Sequence, residues 1–117
     1  MRIITGKAKG KKLFTLEGDA TRPTSERIKG AIFSAIQFDI EGRRVLDLFA
    51  GSGQMGLEAI SRGAKSVDFV DQSENACRLI RENLKRTKFE SFAAVHRIDY
   101  EGYLRNCKKR YDIVLLD

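Results

Sequence analysis

The stretch Val45-Leu46-Asp47-Leu48-Phe49-Ala50-Gly51-Ser52-Gly53-Gln54-Met55-Gly56 is an apolar strand running into a glycine turn, with a carboxylate set just ahead of the glycines. Glycines at 51, 53 and 56 spell the dinucleotide fingerprint, in which backbone closes on a pyrophosphate at a helix N-terminus. Alone, that pattern suggests NAD. The unpaired N–H groups of such a turn favour anions, but Asp47 would repel a pyrophosphate held nearby and attract a cation instead. S-adenosylmethionine (AdoMet) carries an ammonium and a sulfonium, and a carboxylate beside close-approach glycines suits its methionine end. The turn therefore reads as AdoMet-binding through Asp47, Phe49, Gly51 and Gly53.

Downstream, short apolar runs alternate with helical patterns, which predicts parallel βαβ units in an α/β, Rossmann-like sheet. Four strands are expected, over 44–49, 66–71, 93–98 and 111–116. Between the first two, residues 56–62 carry Leu57 and Ile60 at helical spacing, and Gly63 closes that helix. Between the second and third, Ser73 can cap a helix in which Ala76, Ile80 and Leu84 recur every four residues. The charges of that helix, among them Arg78, Arg81, Lys85 and Arg86, read as a solvated face.

Ligands of open parallel sheets bind beyond the carboxyl ends of the strands. Asp47, Asp71, Asp99 and Asp117 end or nearly end the four strands and are expected to line one sheet edge. Asp71 follows Gly51 by twenty residues, where a carboxylate can accept from both hydroxyls of an adenosine ribose. Gln72 adjoins it. Asp99-Tyr100 could meet the adenine, with Asp99 accepting from its exocyclic amine. Any one of these aspartates could equally be a turn or cap residue.

Ahead of the sheet, residues 2–5 and 12–16 are β-prone and joined by Gly6-Lys7-Ala8-Lys9-Gly10-Lys11, a hairpin with a basic tip. Pro23-Thr24-Ser25-Glu26 then opens a helix whose Ile28, Ile32, Ala35 and Ile36 form an apolar stripe expected to face the core. Residues 1–30 hold eight Lys/Arg against three acids, so +5 of the net +6 lies in the first quarter of the chain. Such a segment on a nearly neutral domain is the footprint of a polyanion partner such as nucleic acid. Lys7, Lys9, Lys11, Lys12, Arg22, Arg27 and Lys29 are its candidate contacts.

Length, 42% hydrophobic residues and a single proline fit one small globular domain. No apolar run approaches the roughly 20 residues of a membrane span, and no signal-peptide pattern is seen, so a soluble cytoplasmic protein is expected. Cys77 and Cys107 lie thirty residues apart, with one histidine, His96, in the whole chain. Neither a metal site nor a disulfide framework is indicated, and His96 is assigned no role.

Arg22-Pro23-Thr24 followed by Arg27 and Ala31-Ile32-Phe33, then Asp47-Leu48-Phe49-Ala50-Gly51-Ser52-Gly53 and Glu58-Ala59-Ile60-Ser61-Arg62-Gly63-Ala64, closely resemble the RsmD-type methyltransferases of small-subunit ribosomal RNA. The resemblance runs from Met1 to Asp117. It implies a bacterial, cytoplasmic, AdoMet-dependent enzyme that methylates the exocyclic N2 amine of a guanine in 16S ribosomal RNA, either bare or within a small-subunit particle. It also implies a seven-stranded sheet with a small β-rich N-terminal extension, so the expected organisation is a basic hairpin over 1–21 and an AdoMet-binding Rossmann-like domain over 22–117. In the family the fourth strand ends in Asp-Pro-Pro followed by Tyr or Phe. Asp117 is the first residue of that motif, and the sequence stops there.

By resemblance, Asp117 is the catalytic residue, accepting from the guanine amine so that its lone pair points at the methyl group. The 117 residues alone are expected to be inactive and marginally stable, with an unpaired sheet edge. The alternatives are a DNA or RNA adenine-N6 methyltransferase, a nicotinamide-dependent oxidoreductase using Gly51, Gly53, Gly56 and Asp71, and a binding fragment that catalyses nothing.

Overall fold

The computed structural model describes residues 2–15 and 26–116. Four parallel strands, β1 (Arg44–Leu48), β2 (Ser66–Asp71), β3 (Ala93–Arg97) and β4 (Ile113–Leu116), form one sheet in the order β3-β2-β1-β4. Helices α1 (Glu26–Ala35), α2 (Gln54–Ser61), α3 (Glu74–Thr87) and α4 (Tyr100–Arg105) precede and connect the strands. A single 3-10 turn over Glu90–Phe92 leads into β3. The α/β reading of the sequence is borne out.

Strand boundaries depart from expectation at three ends: β3 stops at Arg97, one residue early, and the other two departures have local reasons. β1 stops at Leu48 because Phe49 takes a left-handed backbone, φ 58°, which no strand accommodates. β4 starts at Ile113 because Asp112 is engaged with Arg44, donating its N–H to the Arg44 carbonyl and accepting from the Arg44 N–H.

One sheet face presents Val45, Val67 and Phe69 to Leu57 and Ile60 of α2 and Ile80 and Leu84 of α3, forming the main core. Ile3 and Leu13 of the N-terminal segment and Phe33 of α1 join it. The other face gathers Leu46, Leu48 and Val70 with Tyr103 and Tyr111. α3 is capped as expected: the Ser73 hydroxyl accepts from Ala76 N–H.

α1 is turned relative to its expected stripe. Ile28 and Ile32 are 55% and 37% exposed, whereas Phe33 and Lys29 are fully buried. One residue along a helix rotates a face by about 100°, so positions 29 and 33 face the core in place of 28 and 32. The cause lies in α2, where buried Glu58 takes the Lys29 ammonium at 3.3 Å.

The N-terminal segment forms a loop closed by one antiparallel bridge between Arg2 and Lys12, instead of a regular hairpin. Its backbone is fastened to α2. Ile4 and Thr5 N–H donate to the two Glu58 oxygens, Lys7 N–H to the Ser61 carbonyl, and Ala8 N–H to Ser61 Oγ. Gly6 passes so close that a Cβ there would lie 1.9 Å from the Ser61 carbonyl oxygen.

Candidate functional site

The site begins where β1 gives way to α2. Gly51 and Gly53 have φ of 58° and 82°, conformations open to glycine at little cost. Gly53 is the N-cap of α2. A Cβ on Gly51 would meet nothing within 4 Å, while one on Gly56 would lie 2.3 Å from the Phe69 ring. Gly51 thus leaves an open approach for a ligand, and Gly56 lets α2 rest directly on β2. Close packing of helix on strand is the role of the third glycine of a nucleotide-binding turn.

Two aspartates hold this turn from different sides. Asp47 is fully buried and its Oδ2 accepts from Gly56 N–H at 3.0 Å, putting a carboxylate at the N-terminus of α2, where the helix dipole favours it. Asp71 is half-buried; its Oδ2 accepts from Gly51 N–H at 3.0 Å and its Oδ1 from Ser73 N–H at 2.9 Å. A carboxylate oxygen can take a second donor, so both oxygens of Asp71 retain capacity for hydroxyl groups. Gln72 follows, exposed.

Phe49 and Tyr100, far apart in sequence, meet at the mouth of the site. Their ring centroids are 5.1 Å apart at 50°, and they are 47% and 42% exposed. The positive φ of Phe49 directs this contact. A bulky residue in that region is costly, and such strain gathers at ligand clamps. Asp99 caps α4, accepting from Gly102 N–H through Oδ1, and so combines the cap role with a place at the strand edge.

The aspartates do not stand in one row. Register places Asp47 beside Phe69, two residues short of Asp71, and Asp71 beside Arg97, two short of Asp99. Depth grades accordingly, from buried Asp47 through half-buried Asp71 to exposed Asp99. Asp117 and Arg22 lie outside the described residues.

Of the candidate polyanion contacts, Lys7, Lys9, Lys11, Lys12 and Arg27 are exposed. Lys29 is not a surface cation and requires correction: it is buried, paired with Glu58 and donating to the Arg2 carbonyl at 3.0 Å. Arg86 is exposed, as expected of a solvated face, and also touches the N-terminal segment. It donates to the Lys12 carbonyl at 2.7 Å, and its guanidinium lies 5.0 Å from the centre of the Phe14 ring.

Three features went unread in the sequence. Glu58 is a hub, accepting from Ile4, Thr5, Lys29 and Arg62; its one sequence signal is a lone acid inside the apolar run Met55 to Ile60. Asn83 is buried and bonded to two distant segments. Asp68, buried on the second sheet face, accepts from His96 Nε2 at 2.9 Å, Tyr111 Oη at 2.8 Å and Lys109 Nζ at 3.3 Å. Burial raises the Asp68 carboxyl pKa, but these three donors outweigh it and hold the group below its ordinary value.

An open parallel sheet with a glycine turn after β1 and carboxylates stepping along its carboxyl edge defines a class I methyltransferase-type fold. The chain belongs to the family described as Conserved hypothetical protein 95, which matches residues 1–117, and the resemblance read from the sequence is borne out. It is 43% identical over 110 residues to YlbH of Bacillus subtilis (strain 168), covering 94% of this chain and 60% of that one. It is 35% identical over 121 residues to Ribosomal RNA small subunit methyltransferase D of Haemophilus influenzae, covering 100% and 62%. The solved structure of yhhF from Escherichia coli superposes with a TM-score of 0.89 at 29% identity, covering 100% of this chain and 63% of that one. The chain thus spans about three fifths of the length of these relatives.

Proposed function

We propose that the protein is an AdoMet-dependent methyltransferase acting on the exocyclic N2 amine of a guanine in 16S ribosomal RNA. The observation that carries this reading is the turn at Gly51, open in front and fastened from behind to Asp71. The name of the Haemophilus relative supports ribosomal RNA as the substrate class.

The residues present fit AdoMet. Asp47 sets a negative field behind the turn, suited to a cationic methionine end. Asp71 offers acceptors to ribose hydroxyls, with Gln72 beside it. Phe49 and Tyr100 offer an aromatic wall for the adenine, and Asp99 an acceptor for its amine. When bound, AdoMet supplies an electrophilic methyl group.

A guanine amine is a weak nucleophile because its lone pair is delocalised into the ring. Asp117 accepts a hydrogen bond from that amine and orients it, so catalysis is mainly positioning. The target base leaves its stack to reach the site, as in other enzymes acting on nucleobases. Lys7, Lys9, Lys11, Lys12, Arg22 and Arg27 hold phosphates, which positions the RNA without reading its sequence.

Calorimetric titration with S-adenosylhomocysteine, with NAD as control, tests the cofactor half. Binding of S-adenosylhomocysteine that is lost in Asp47→Ala supports it, and binding of NAD alone overturns it. Nucleoside analysis of 16S ribosomal RNA after incubation with the full-length protein and AdoMet tests the rest. N2-methylguanosine supports the reading, and N6-methyladenosine places the protein with the adenine methyltransferases.

A further inference from the structure

Asn83 of α3 joins the basic N-terminal segment to the glycine turn. Its Oδ1 accepts from Phe14 N–H at 2.7 Å, and its Nδ2 donates to the Phe14 carbonyl at 2.9 Å and to the Ser52 carbonyl at 3.0 Å. The side chain is fully buried. It pairs with both polar groups of one backbone residue, as a neighbouring strand would, and holds the peptide between Gly51 and Gly53 with its remaining N–H.

Both ends of this bridge lead to candidate ligand contacts. Phe14 closes the segment bearing Lys7, Lys9, Lys11 and Lys12, and Arg86, three residues beyond Asn83, fastens Lys12 and Phe14 to the same helix. Ser52 is also buried, next to the Gly51 whose N–H is held by Asp71. The fully buried Asn83 amide cannot release either partner without leaving its own polar atoms unsatisfied, which is unfavourable. Displacement or ordering of the segment is therefore felt at the turn, and the reverse holds equally.

We propose that Asn83 is a positioning residue that couples RNA bound on the basic segment to AdoMet bound at the glycine turn, so that each ligand strengthens the other. This rests on the proposed function, since it takes RNA and AdoMet as the two ligands. The ordering cost is met once by the first ligand and is reduced for the second. Such coupling is reciprocal and spans about 5- to 150-fold in affinity.

The test measures the affinity of the full-length protein for a 16S ribosomal RNA transcript with and without saturating S-adenosylhomocysteine. At least about a fivefold tightening is expected, with the same factor when the titration is reversed. In Asn83→Ala the factor falls to near one, while the salt dependence of RNA binding, set by the lysines, stays unchanged. Hydrogen exchange on the unsubstituted protein supplies a second readout that does not depend on the variant folding: S-adenosylhomocysteine alone slows exchange of the Phe14 amide. Two ligands that bind independently, an Asn83→Ala protein that keeps the factor, or an unaffected Phe14 amide overturns the coupling and leaves the functional reading standing. Failure of the unsubstituted protein to bind either ligand overturns both.

Discussion

Gly51 donates its N–H to Oδ2 of Asp71 at 3.0 Å, so the carboxylate ending β2 fixes the turn that leaves β1. The same carboxylate has a second anchor in Ser73 N–H and is held in one orientation. Asp71→Asn exchanges one charged acceptor for a donor and weakens both the turn and the proposed place for ribose hydroxyls. Charged hydrogen bonds contribute about 1.5–3 kcal/mol, so affinity for S-adenosylhomocysteine is expected to fall by about tenfold or more. Calorimetry on the variant, with its folding checked by circular dichroism, reads this out.

Lys29 and the exposed lysines should separate in their effects, although charge alone makes all of them candidate RNA contacts. Lys29→Met leaves Glu58 buried with one cation fewer, and breaking such a pair costs about 3–5 kcal/mol; the residual Arg62 contact favours the lower end. Denaturant unfolding should show that loss with no change in the salt slope of RNA binding. Replacing Lys7, Lys9, Lys11 and Lys12 with Ala should do the opposite, lowering the slope of log affinity against log salt by about 0.7–0.9 for each phosphate no longer neutralised.

What the sequence made legible is what short-range chemistry dictates. Strands buried on both faces read as apolar runs, the α3 boundary carries its own cap in Ser73, and the turn carries its glycines; each signal lies within a few residues of its effect. The role of Lys29 depends on Glu58, and that of Asn83 on Phe14, 69 residues away. A charge whose partner lies in another element looks like a surface charge, so Ile28 and Ile32 are the natural choice for the buried face of α1. Phe49 and Tyr100 are each legible as candidates, but their tilted ring contact accompanies a left-handed backbone at Phe49 that no local pattern announces.

The two cysteines should differ in reactivity. Cys77 is buried, its Sγ donates to the Asp71 carbonyl at 3.4 Å, and burial pushes its thiol pKa up. Cys107 is partly exposed. The thiolate is the reactive form, so a disulfide reagent such as Ellman's should modify one thiol quickly in the native protein and both in denaturant. Cys107→Ser should abolish the fast phase and Cys77→Ser should keep it. A fast phase that survives Cys107→Ser would show that α3 opens to solvent beside Asp71.

Acid should act on the second sheet face through Asp68. Burial alone would raise its carboxyl pKa, but the donors His96, Tyr111 and Lys109 outweigh burial and leave it below the ordinary value. The folded state thus binds the Asp68 proton less readily than the unfolded state. Its stabilisation is complete above the ordinary carboxylate pKa of about 3.9 and is lost as pH falls through the lowered folded value. Asp68→Asn removes that dependence and leaves the donors facing a neutral amide, so stability near pH 7 should drop by about 1–3 kcal/mol. Unfolding curves between pH 7 and pH 3 should converge for the two proteins at the acid end, and curves that stay parallel would show that the Asp68 cluster does not titrate with folding.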